Sequence, residues 1–87
     1  MESSLEQRVK AVMVAHLSVE DADLLPQASL VDQLYLDSLD LMDLVLALND
    51  AFDIEIGVDD AVTIKTVADV CQLVERLLAQ RGGVVDP

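Results

Sequence analysis

Basic residues are scarce in this chain. Five Lys and Arg stand against 17 Asp and Glu, which leaves a formal charge of −12 over 87 residues. A surface of that sign repels phosphate backbones and anionic headgroups, so binding to nucleic acid or to a membrane surface is disfavoured. The single cysteine excludes an internal disulfide and a thiolate zinc cluster. One histidine leaves little from which to assemble a His-centred triad or metal site. No apolar run approaches the roughly 20 residues of a membrane span, and Met1-Glu2-Ser3-Ser4 lacks the basic start and apolar stretch of a secretory signal. What the chain does hold is 53 % hydrophobic residues, which argues against disorder despite the charge. Its length suits one domain burying roughly two thirds of its unfolded surface. The expectation is an acidic, monomeric, cytoplasmic domain without catalytic machinery.

The charge is unevenly placed. Between Lys10 and Lys65 there is no base but there are twelve acids, from Glu20 to Asp60. The five acids and five bases outside that stretch cancel, so the middle of the chain carries the whole imbalance. Such a stretch reads as a face offered to basic partners.

Cap and turn signals divide the chain into helices. Ser3…Glu6 and Ser4…Gln7 both have capping-box spacing, and Leu5, Val9, Val12, Met13 and His16 follow helical periodicity to about Leu17. His16, on that stripe, is expected at the core boundary. Residues 18–36 have turn composition (Ser18, Asp21, Asp23, Pro26, Ser29), interrupted by Leu24, Leu25, Leu30, Val31 and Leu34, so this loop is expected to pack back on the core. Asp37 is an N-cap, with Asp40 three residues on. From Ser38 to Phe52 the apolar residues cover nearly the whole helix, leaving a narrow stripe of Asp40, Asp43 and Asp50. A core-facing helix needs an apolar face of only about 100° or somewhat more, so Leu39, Met42 and Leu46 are expected to lie exposed. Asp40 and Asp43 are expected to face solvent beside them.

Asp53-Ile54-Glu55-Ile56-Gly57 alternates like a short extended segment, and residues 59–64 suit a helical turn. Thr66 with Asp69 signals a further N-cap. Val67, Val70, Cys71, Val74, Leu77 and Leu78 form an amphipathic helix to about Gln80, stopped by Gly82 and Gly83. Cys71 is expected on its inner face. The fold class is all-α, a small four-helix bundle of three main helices and one short one. The domain is expected over residues 1–81, with 82–87 a flexible tail.

Leu36-Asp37-Ser38-Leu39-Asp40 opens a helix that leads into Phe52-Asp53-Ile54-Glu55-Ile56, and the whole resembles acyl carrier proteins over about Leu5 to Leu78. The resemblance implies that Ser38, the serine of the DSL motif, carries 4′-phosphopantetheine supplied from coenzyme A. It implies that acyl groups ride on the arm as thioesters through fatty-acid, polyketide or other acyl-processing enzymes. The partners implied are a phosphopantetheinyl transferase and acyl enzymes with basic docking patches. They would meet Asp37, Leu39, Asp40, Met42, Asp43 and Leu46. A serine beside a helix N-terminus is compatible with an attached phosphodiester, although Asp37 and Asp40 repel it outward. Ser38 lacks the adjacent base of a nucleophile.

Some positions depart from the family pattern. Tyr35 stands where Gly is usual before the motif, Asn49 and Ala51 where Glu is common, Gly57 for a frequent Pro and Val62 for a common acid. These changes thin the acidic face and favour a specialised discrete carrier over the central fatty-acid one. An aminoacyl or peptidyl carrier and an unmodified acidic interaction module stay open as alternatives. A calcium loop starting at Asp53 fails, because its sixth position is Val58 and its twelfth Ile64.

Overall fold

The computed structural model describes residues 4–17 and 19–84, the last four as backbone. Helix α1 spans Leu5–His16, α2 Ser38–Phe52, α3 Val58–Ala61 and α4 Val67–Val84, with a 3₁₀ turn at Asp21–Asp23. Helices α1, α2 and α4 pack on one another, so the expected all-α bundle is the observed one.

The starts of the helices follow local chemistry. Ser4 caps α1, its hydroxyl accepting the Gln7 N–H at 3.1 Å; the alternative cap, Ser3, lies outside the described residues. Thr66 and Asp69 form a reciprocal pair at the start of α4, with N–H to side-chain distances of 3.1 and 3.2 Å. The Asp69 carboxylate also accepts the Lys65 N–H at 2.9 Å. These backbone donors hold its carboxyl below the ordinary 3.8.

The core is built from Val9 and Met13 of α1, Leu44, Leu48 and Phe52 of α2, and Val67, Val70, Leu73 and Val74 of α4. Leu24, Ala28, Leu30, Leu34 and Leu36 of the long loop join it, while Leu25 and Val31 stay exposed. The loop is tied to the start of α4 by backbone bonds: Leu30 N–H to the Lys65 carbonyl at 2.9 Å, Val67 N–H to Ala28 at 3.1 Å and Ala68 N–H to Pro26 at 2.8 Å.

Three expectations are corrected. His16 is exposed, because the buried stripe of α1 runs through Val9, Met13 and Leu17 at i, i+4 and i+8, and His16 falls to the side of it. Residues 54–57 connect α2 to α3 outside any helix, and the Ile54 N–H donates to the Asn49 carbonyl at 3.1 Å and the Ile56 N–H to Asn49 Oδ1 at 2.9 Å, tying the segment to the end of α2. Asn49 is thus a clamp on this connection. Helix α4 continues through Gly82 and Gly83 to Val84, past the stop expected at about Gln80. Each mid-helix Gly costs only about 1 kcal/mol and removes no backbone donor. The remaining residues, 85–87, lie outside the described ones. Asp40 is half-buried rather than open to solvent, for a reason given with the site.

Among the described residues, two non-glycine residues hold positive φ, Tyr35 at 59° and Asp53 at 53°. Asp53 closes α2, where an αL residue is common. Tyr35 precedes α2 and carries a backbone cost of roughly 1–2 kcal/mol.

Candidate functional site

The approach to Ser38 is anchored before it is presented. Leu34 and Leu36 are buried, the Leu34 N–H donates to the Ser29 carbonyl at 3.0 Å, and the Leu36 N–H donates to Leu30 at 2.9 Å. Asp37 then caps α2 in an extended conformation, and Ser38 follows as the exposed first helical residue. The Asp37 carboxylate accepts the Asp40 N–H at 2.9 Å, and the Asp40 carboxylate accepts the Asp37 N–H at 3.2 Å. This exchange satisfies donors left open at the helix start and draws Asp40 toward the backbone.

Leu39, Met42, Asp43 and Leu46 fall at i, i+3, i+4 and i+7, on one face of α2. Leu39 is 72 % exposed, Met42 61 % and Leu46 62 %, as the surplus of apolar residues on this helix predicts. Asp43 is exposed on the same face and lines a shallow depression with His16, Leu46, Ala47 and Asp50. The structure therefore groups Leu39, Met42, Asp43 and Leu46, while Asp37 and Asp40 serve the cap at the attachment end.

An apolar groove of about 360 Å³ opens at Ser38. Leu41, Met42, Val45 and Leu46 of α2 form one wall, and Val58, Ala61 and Val62 at α3 form the other. Ile56 and Gly57 complete it. Sequence reasoning missed these residues beyond Met42 and Leu46; the available signal was Val62 in place of an acid, beside an equally exposed Val58. Helix α3 buries no residue of its own and is tied to α4 by Arg76, whose guanidinium donates to Asp60 Oδ1 at 2.8 Å.

Groups elsewhere are placed for structure. Cys71 is half-buried, and burial, reinforced by Glu6, pushes its thiol up, away from the reactive thiolate. His16 lines a different depression from Ser38. Among the described residues, no helix is long and apolar enough to cross a membrane.

An exposed hydroxyl on a rigidly capped helix start, with an apolar groove leading away, fits a covalently attached arm. 4′-Phosphopantetheine attached there would supply a terminal thiol for thioester chemistry, beside a groove lined by the chain's own residues. The family described as phosphopantetheine attachment site matches residues 7–74, more than three quarters of the chain. With that match and this helical bundle, the chain belongs to the phosphopantetheine-attachment family of carrier domains, in keeping with an acyl carrier protein.

Proposed function

We propose that Ser38 carries the phosphopantetheine and that the cargo is acyl rather than aminoacyl or peptidyl. The observation that carries the reading is the apolar groove of about 360 Å³ opening at Ser38. It offers an aliphatic chain a surface shielded from water, at roughly 25 cal/mol for each Å² of apolar area removed, and offers a charged aminoacyl group no partner. The chain acts as a carrier and not as an enzyme: Ser38 has no imidazole in its groove and the Cys71 thiol is held protonated. It serves as a monomer in a cytoplasmic, specialised acyl pathway, a reading supported by the lone cysteine and by the exposed Val62, which stands where the resemblance expects an acid. Its partners are a phosphopantetheinyl transferase and acyl-processing enzymes whose basic patches meet Asp37, Leu39, Asp40, Met42, Asp43 and Leu46.

The test is incubation of the apo-protein with coenzyme A and a phosphopantetheinyl transferase, followed by intact-mass analysis and peptide mapping. One arm on Ser38, abolished in Ser38→Ala, is expected. Modification of Ser4 or Ser29 instead would sink the assignment. Protein isolated from its native host should carry an acyl group on the arm; an amino acid there would favour the aminoacyl alternative.

A further inference from the structure

Tyr35 combines three properties. Its φ is 59°, a region that bulky L-residues rarely adopt. Its side chain is 83 % exposed, so the ring gains almost no burial in the free chain. It also lies three residues before Ser38, between the buried anchors Leu34 and Leu36, whose backbone bonds to Ser29 and Leu30 hold the turn in place. A glycine would suit this backbone without strain. The residue present therefore strains the turn and receives no packing in exchange.

The surroundings indicate what the ring meets. Asp32 and Asp37, exposed carboxylates, flank Tyr35 in the chain, and no base occurs between Lys10 and Lys65. An exposed ring in a segment that carries carboxylates and no base matches an arginine, whose planar guanidinium stacks on an aromatic face and is drawn by the surrounding negative charge. Of the partners, the transferase must bring its reacting phosphorus to the Ser38 hydroxyl itself, whereas enzymes acting on the thioester work at the far end of the arm.

Resting on the assignment of Ser38 as the attachment residue, we infer that Tyr35 is a specificity-determining contact for the phosphopantetheinyl transferase, its exposed ring receiving an arginine of that enzyme. The ring, rather than the hydroxyl or the turn, makes the contact.

The experiment measures KM and kcat of the native host's transferase for the apo-protein, with coenzyme A saturating, and the melting temperature of each variant. Tyr35→Gly should melt higher than wild type, since the strain is gone, yet raise KM by about threefold to tenfold, in line with the strength of a cation–π contact. Tyr35→Leu, which keeps the strained turn and an apolar side chain, should raise KM similarly, while Tyr35→Phe should keep the wild-type KM. An unchanged KM in both Tyr35→Gly and Tyr35→Leu would overturn the inference, as would an equal rise in Tyr35→Phe. Failure of the wild-type chain to be modified at Ser38 would instead remove the attachment assignment, and this contact with it.

Discussion

Asp37 and Asp40 cap each other: each carboxylate accepts the other's backbone N–H, at 2.9 and 3.2 Å. Two acids that read as docking charges are therefore also the clasp that starts α2 beside Ser38. Asp37→Ala should lower stability by roughly 0.5–2 kcal/mol. Asp40→Lys should also destabilise, since it removes an acceptor and sets a cation at the positive end of the helix. Asp43→Lys, outside the clasp, should stay within about 0.5 kcal/mol of wild type. Urea denaturation of the three variants gives the ranking.

Asp43 is consequently the clean probe of charge in docking. On the proposed function, Asp43→Lys slows association with the transferase and with cognate acyl enzymes, most at low salt, because rim charge governs encounter. Met42→Ala, which removes an exposed apolar group from the groove rim, should act mainly by faster dissociation, with little dependence on salt. Stopped-flow binding at two salt concentrations separates the two. An association rate unmoved by Asp43→Lys would shift recognition away from α2.

Gly57 is the N-cap of α3, with φ −77°, and a Cβ added there meets nothing within 4 Å. Gly57→Ser should stabilise the chain by about 0.4–1 kcal/mol, through lower unfolded-state entropy and a side-chain cap. A rise in melting temperature checks this; a fall would mean that the groove mouth needs glycine.

The depressed Asp69 carboxyl makes part of the stability dependent on acid. Its folded value lies below the ordinary 3.8 because the backbone N–H of Lys65, followed by Thr66, bonds the charged form. Folding therefore favours the ionised group: the contribution is complete above 3.8 and is lost as pH falls through the lower folded value. The stability gap between wild type and Asp69→Asn should be constant near neutrality and narrow on acidification below that point. A gap independent of pH would show that the cap does not favour the carboxylate.

The net charge of −12 should make the apo-protein sensitive to ionic strength. Raising salt from about 0.01 to about 0.1 M contracts the screening length from about 30 to about 10 Å. The melting temperature should climb over that range as repulsion is relieved. The Arg76–Asp60 pair, exposed enough to be screened as well, opposes this weakly. A flat titration would mean that the carboxylates are too dispersed to repel.

What the sequence determined by itself was local. Ser4 with Gln7, Asp37 with Asp40 and Thr66 with Asp69 are three residues apart, so spacing alone brings each pair within bonding distance. The surplus apolar face of α2 was legible for the same reason: helical period dictates which residues share a face, and Leu39, Met42 and Leu46 had no core position left to fill. Tertiary packing decided the rest. The groove joins Ser38 to Val62 across a connection clamped by Asn49, and no periodicity spans that distance. His16 reads as part of an apolar stripe, yet faces outward because packing chose the Val9–Met13–Leu17 line as the inner one. Tyr35 by its own preferences avoids the left-handed region, so nothing local to it announces a φ of 59°. The turn is held instead by its neighbours: Leu34 and Leu36 are both buried and tied by backbone bonds to Ser29 and Leu30, and the burial of two leucines outweighs the strain of one residue between them.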